Sequence, residues 1–191
     1  VTRLEKKLGI KSSDTAAISF SDCRIPRDNI LGSADIQAKK GFAGVMQTFD
    51  NTRPMVAALS VGVARASLEV TRELLEKQGH SCEYRAGLWT RSAIEAEICR
   101  MEADMEAARL LILKAAWMAD NKQPNSLEAY MSKAKAGRMG NQVTLRCSEI
   151  CGSLGYSESS LLEKWARDSK ILDIFEGTQQ IQQLIIARRL L

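Results

Sequence analysis

Hydrophobic positions along this chain follow a β-like pattern first and a helical one afterwards. Ala16-Ala17-Ile18-Ser19-Phe20 is a short run with β-formers, and Cys23-Arg24-Ile25-Pro26 follows after a Ser-Asp turn. Residues 1–31 therefore read as extended, with Pro26 placing its strand at an edge or at a strand end because it cannot donate to a ladder. Two short strands are not stable alone in water, so this segment is expected to pack on something else. From Gly41 the period lengthens. Phe42, Val45, Met46 and Phe49, then Met55, Val56, Leu59, Val63, Ala66 and Leu68, recur near three and four apart. Pro54 inside that pattern is expected to bend the helix or to open a new one.

Residues 79–91 hold Gly79, His80, Ser81 and Gly87 with mixed charge and read as a connection. Ile94, Ile98, Met101, Met105, Ala108, Ile112 and Ala115 then alternate steps of four and three. That seam predicts a bundle helix of about 28 residues. The Asn121–Asn125 cluster ends it, and Asn125 or Ser126 is positioned to cap the next helix, which runs to about Ile150. Ala134, Ala136, Gly137 and Gly140 permit close helix approach there. A glycine-rich turn, Cys151-Gly152-Ser153-Leu154-Gly155-Tyr156, precedes a last helix from near Ser160, broken at Glu176-Gly177-Thr178 and resumed to Leu191. Four long amphipathic segments with short joins predict a mainly α fold, an antiparallel four-helix bundle preceded by a short β segment.

Composition narrows this picture without changing it. The 191 residues suffice for one domain, and 45% hydrophobic with 26% charged is an ordinary globular balance. A net charge of +4 with scattered charges is too weak to argue for nucleic acid. No apolar run approaches the roughly 20 residues of a membrane span, and the N-terminus lacks the apolar core of a signal peptide. Five cysteines without a Cys-x-x-Cys pair favour free thiols over a disulfide framework. His80, the single histidine, has too few neighbours for a zinc site and reads as a surface loop residue.

Candidate chemistry gathers at three places. At Phe175-Glu176-Gly177-Thr178 a carboxylate stands between two apolar stretches, where desolvation and the negative end of the preceding helix favour a stronger base. Gly177 allows the turn and Thr178 is placed to cap the next helix. A solvent-facing Glu at a helix kink is the plainer alternative. At Phe49-Asp50-Asn51-Thr52-Arg53-Pro54, Asp50 and Arg53 share a helical face and could grip a polar ligand or form an ordinary surface pair. Cys151-Gly152-Ser153-Leu154-Gly155 follows a helix rather than a strand, so it is no dinucleotide fingerprint and alone is just a turn.

Taken together these stretches resemble the C-terminal half of an acyl-CoA dehydrogenase. Lys7-Leu8-Gly9-Ile10-Lys11 through Asp22-Cys23-Arg24-Ile25-Pro26, with Asn29-Ile30-Leu31-Gly32, resembles the end of the family's middle β-domain. Phe49 to Pro54 resembles the start of its C-terminal helical domain. Trp165-Ala166-Arg167-Asp168 and Ile174-Phe175-Glu176-Gly177-Thr178-Gln179-Gln180-Ile181-Gln182 resemble its last motif. The resemblance implies residues 1–35 as a remnant of the β-domain and 36–191 as the helical domain. It also implies an FAD-dependent α,β-dehydrogenation of an acyl-CoA thioester to the trans-2-enoyl-CoA, in fatty-acid or related catabolism. Glu176 would match the catalytic base, and its N–H would bond the thioester carbonyl. Phe49, Asp50, Arg53 and Gly177 would match substrate-side positions. Thr178, Gln179 and Gln180 would meet the FAD, and Glu149 and Gly152 would lie at its adenine end. Some relatives carry the base where this chain has Thr52, which leaves Glu176 as the one candidate.

The apolar seams on 92–120 and 160–191 exceed what one small bundle must bury and are expected to carry oligomer contacts, and the same resemblance implies a tetramer built as a dimer of dimers. It implies an electron-transfer flavoprotein as electron acceptor, and a bacterial cytoplasm or a mitochondrial matrix as location. Three departures from the family stand out, and those at Gln78, Glu149 and Ser153 favour an alternative, a non-catalytic or flavin-poor structural subunit of a heteromeric acyl-CoA dehydrogenase. The family's N-terminal helical domain and most of its β-domain lie outside the resemblance. Gln78 stands where the family has an Arg, with Arg85 as a substitute. Glu149 and Ser153 replace a Gln and a Gly, and a carboxylate there would repel a pyrophosphate.

Overall fold

The computed structural model describes residues 1–30, 38–80 and 87–191. Leu31 and Gly32 of the β-domain motif, Cys82 and Arg85 lie outside the described residues. Three long helices, α1 (Ala38–Lys77), α2 (Ala93–Asp120) and α3 (Ser126–Ile150), form the bundle with a fourth, interrupted segment. That segment contains the short α4 (Ser153–Tyr156), α5 (Leu162–Ser169), a 3₁₀ turn over Lys170–Asp173, and α6 (Gln179–Leu190). α3 is central and packs against all of the others.

α2 has the 28 residues its seam predicts, and Ile98, Met101, Ala108, Ile112 and Ala115 are its buried face. A reciprocal capping box starts it: Ser92 Oγ accepts from the Glu95 N–H, and the Glu95 carboxylate accepts from the Ser92 N–H. The buried stripe of α1 differs from the expected one. Val56 and Leu68 are buried as expected, but Met55 and Leu59 are exposed, while Ala57, Ser60, Ala64, Ser67, Thr71 and Leu75 also face the core. Small side chains win because α3 comes so close that a Cβ on Gly140 would sit 3.1 Å from Ser60 Cβ.

Pro54 neither ends α1 nor opens a new helix; α1 runs through it. Pro54 has no N–H for the Asp50 carbonyl four residues back. That freed oxygen accepts instead from Asn125 Nδ2 at 3.4 Å, an amide that also reaches Ala115 O at 3.2 Å. Asn125 is the N-cap residue of α3 by position, yet its side chain makes no cap bond; its Nδ2 donates to these two carbonyls.

The β segment also departs from expectation. Arg3–Leu4 (β1) pairs antiparallel with Ala16–Ala17 (β2), whereas Cys23–Pro26 is no strand and leads into a 3₁₀ turn at Arg27–Asn29. Locked at its φ and lacking an N–H, Pro26 suits the N-cap of that turn better than a ladder. α5 clasps this segment. Arg167 Nη1 donates to Leu8 O at 3.1 Å, and the Ile10 N–H donates to Asp168 Oδ1 at 2.5 Å. Gly9 has to be glycine because a Cβ would run into the Arg167 carbonyl.

Cys23, Cys99, Cys147 and Cys151 are free thiols. Burial pushes the Cys147 thiol up to about 11, so it is held in its unreactive protonated form at neutral pH. Among the described residues no helix is long and apolar enough to cross a membrane, and no group of three or more His, Cys, Asp or Glu could hold a metal ion.

Candidate active site

The break in the fourth segment is longer than three residues: regular α-helix stops at Ser169 and resumes at Gln179. The chain turns sharply there, because both Glu176 (φ 59°) and Gly177 (φ 99°) have left-handed backbone. Gly177 adopts it freely, while Glu176 does so at a cost of about 1–3 kcal/mol. A Cβ on Gly177 would also lie 2.5 Å from Gln182 Nε2.

Tertiary hydrogen bonds hold this turn. Gln182, fully buried on α6, donates from Nε2 to the carbonyls of Glu176 and Gly177, both at 3.0 Å. Lys133 Nζ, from α3, donates to Gly177 O at 2.9 Å. Arg53 Nε, from α1, reaches Glu176 O at 3.4 Å. The Glu176 carboxylate is half-buried, and its Oε2 accepts from the Thr52 hydroxyl at 2.6 Å. A neutral donor orients the carboxylate there without neutralising its charge.

Asp50 and Arg53 do pair, Nη1 to Oδ1 at 2.9 Å, but as a buried element rather than a surface pair. Arg53 is 4% exposed. Its guanidinium lies 4.2 Å from the centre of the Tyr130 ring and 5.3 Å from that of Phe49. Thr178 takes the N-cap position of α6, but its side chain makes no cap bond. Gln179 is buried and its Oε1 has no partner among the described residues; Gln180 is exposed. Beside Phe175 a cleft of about 470 Å³ opens between residues 7–15 and 167–175. Leu8, Ile10, Ile171 and Ile174 line it, with Lys7 and Lys170 also on its walls.

Of the residues singled out from sequence, Phe49, Asp50, Arg53, Glu176, Gly177, Thr178, Gln179 and Gln180 gather around this turn. Glu149 and Gly152 do not. Glu149 lies beyond Lys133 along α3, about 24 Å away for sixteen residues at 1.5 Å each, and Gly152 follows the end of that helix. Glu149 is exposed and pairs with Arg146 at 2.7 Å, which also holds Glu97. Gly152 has φ 55° and leads into α4, a short helix where a plain turn was expected. Sequence reasoning missed Tyr130 and Lys133. The available signal was a lysine among small residues, Ala129, Ser132, Ala136 and Gly137, on the closest-packed face of α3.

The sequence matches the family description "Acyl-CoA dehydrogenase, C-terminal domain" over residues 39–191. The chain belongs to the acyl-CoA dehydrogenase family. It is 37% identical over 187 residues to the mitochondrial short-chain specific acyl-CoA dehydrogenase of Mus musculus, covering 98% of this chain and 44% of that protein. Against the probable acyl-CoA dehydrogenase YngJ of Bacillus subtilis (strain 168) the identity is 34%, covering 100% and 48%. The butyryl-CoA dehydrogenase structure from Megasphaera elsdenii superposes with a TM-score of 0.84 at 32% identity, covering 98% and 47%. The bundle with its short β segment is thus the family's helical fold. The chain spans about half the length of these relatives, which include mitochondrial and bacterial proteins.

Proposed function

We propose that this chain carries the catalytic base of an FAD-dependent acyl-CoA dehydrogenase that converts an acyl-CoA thioester to the trans-2-enoyl-CoA. The observation that carries this reading is the Glu176 carboxylate, set on Thr52 by a turn pinned through both its carbonyls. Glu176 takes the α-proton of the bound thioester onto its carboxylate, and its backbone N–H binds the thioester carbonyl as negative charge builds there. Phe49, Asp50, Arg53 and Gly177 form the substrate side. Arg53 acts by holding the Glu176 carbonyl and Asp50 by holding Arg53.

The residues present fit a flavin at this end: the apolar cleft bearing Lys7 and Lys170 suits a flat, partly anionic group, and Gln179 Oε1, outside that lining, is a buried acceptor with no partner among the described residues. Thr178, Gln179 and Gln180 would hold FAD, which when bound supplies the acceptor for the β-hydrogen with its electron pair. Glu149, near the far end of α3, and Gly152, just past it, are too distant to serve the same cofactor in the same way. In this reading they meet the adenine end of a cofactor held by another copy, within a tetramer. The exposed stripes Leu110, Leu113 and Trp117 on α2, and Ile181 and Leu184 on α6, are where copies would meet. An electron-transfer flavoprotein is the proposed acceptor, and residues 1–35 and 36–191 are the proposed domain division. A bacterial cytoplasm or mitochondrial matrix suits such an enzyme.

A second reading, a flavin-poor structural subunit, draws on the Glu149 carboxylate at the glycine loop. The test is the visible spectrum of the assembled protein and its turnover of acyl-CoA. A flavin spectrum that bleaches with acyl-CoA, and is bleached no longer in Glu176→Gln, supports the enzyme. A colourless oligomer supports the subunit.

A further inference from the structure

Lys133 is fully buried, and the proposed chemistry leaves it without a task. It projects from the α3 face that approaches its neighbours most closely. At Gly137, one turn on, a Cβ would lie 2.9 Å from Leu172 O, so the 3₁₀ turn Lys170–Asp173 rests directly on α3. Burial pushes the Lys133 ammonium below the ordinary lysine range, and the Arg53 cation pushes the same way; the Asp173 and Glu176 carboxylates oppose them. A charge taken this far out of water has to be used by its surroundings. Its recorded partner is the Gly177 carbonyl, at 2.9 Å.

That carbonyl belongs to the turn in which Glu176 is held in left-handed backbone. Left to itself a Glu avoids φ 59°, so the turn at Glu176 and Gly177 persists only while outside donors hold it. Gln182 Nε2 is shared between the two carbonyls, and Arg53 reaches Glu176 O only at 3.4 Å. The ammonium is the charge-assisted donor on Gly177.

We infer that Lys133 is a positioning residue for the Glu176 carboxylate: by gripping the Gly177 carbonyl it fixes the left-handed turn and so keeps the carboxylate on Thr52. This rests on Glu176 being the base. A merely structural buried lysine would affect melting temperature alone. A positioning lysine controls the order of the turn and the rate of the step that Glu176 performs, without controlling substrate affinity.

Lys133→Met removes the charge and keeps the length. In the assembled, flavin-loaded enzyme it is expected to lower kcat about 10–100-fold with KM within about threefold, the signature of a misplaced group. Amide exchange over residues 175–179 is expected to accelerate while α1 to α3 stay protected. Wild-type kcat in this variant overturns the inference, as does a kcat loss with exchange at 175–179 unchanged. Should Lys133→Met fail to fold, Lys133→Ala is assayed with propylammonium, which fits the space vacated. Recovery of kcat supports the inference and its absence overturns it. Glu176→Gln in parallel separates the two readings: full turnover there sinks Glu176 as base, while exchange at 175–179 still reports whether Lys133 holds the turn.

Discussion

Near its N-terminal end α3 buries Lys133 against the turn that carries Glu176, and at its other end it finishes in Glu149, exposed beside Arg146. Both ends pair a cation with a segment bearing a carboxylate, but only the first has taken its groups out of water. There the donors are fixed by packing from three helices, the backbone is strained, and the carboxylate meets a hydroxyl rather than a cation. At the second end Glu97, Arg146 and Glu149 form a solvated chain of ion pairs. Side-chain bonding to Arg146 outweighs slight desolvation and holds the Glu97 carboxyl below the usual range. Long exposed side chains screened by salt contribute little to stability. Strain and burial of charge therefore mark the candidate site better than charge density does.

The sharpest way to break this contrast is to alter the two carboxylates separately. Glu176→Gln should lower kcat by about 10²–10⁴-fold, the range for losing a general base, with little change in melting temperature. Gly177→Ala comes next. With φ 99° and a Cβ 2.5 Å from Gln182 Nε2, it should destabilise by about 1–3 kcal/mol in denaturant melts and lose activity as well. Asn125→Ala should cost about 1–2 kcal/mol by leaving the Asp50 and Ala115 carbonyls without its amide, and a Pro54→Ala background should reduce that loss.

A smaller effect is expected where α5 clasps the N-terminal segment. Burial pushes the Asp168 carboxyl up, but the Lys164 ammonium and the Ile10 N–H outweigh it and hold it below the ordinary range. A depressed folded value means that the clasp is fully present above the unfolded aspartate pKa, about 3.9, and is lost as pH falls through the lower folded value. Proteolytic nicking within residues 1–30 should rise in that acid window, and in Asp168→Asn it should be high throughout and insensitive to pH. The smallest effect belongs to Glu149→Gln, which should leave the melting temperature unchanged at moderate salt. A large loss there would erase the contrast between the two ends of α3.

The helices were legible because their information is local. The four-and-three seam of α2 and its Ser92–Glu95 capping box need only neighbouring residues to operate. The turn at Glu176 was legible for the same reason, as a break between apolar stretches with a glycine at its centre. Of the two expectations for Pro54, a bend or a new helix, the second fails because α1 continues through it, and the partner of the freed Asp50 carbonyl, Asn125, lies far along the chain. The buried stripe of α1 was legible only in part, at Val56 and Leu68, because Ser60 and Ser67 are polar by composition yet small enough to admit α3. Lys133 looked like any other helical lysine.

What the sequence determined by itself is therefore the three long helices, the 28-residue length of α2 and the place around which the fourth segment must break. Periodicity, caps and glycine act over a few residues and need no partner. Only the tertiary structure decided which backbone conformation that break adopts and what holds it. The left-handed Glu176 is unfavourable locally, and it becomes stable when Arg53 on α1, Lys133 on α3 and Gln182 on α6 converge on the same two carbonyls. Convergence of donors from distant parts of the chain has no local signature, because the hydrogen bonds exist only after the helices have packed.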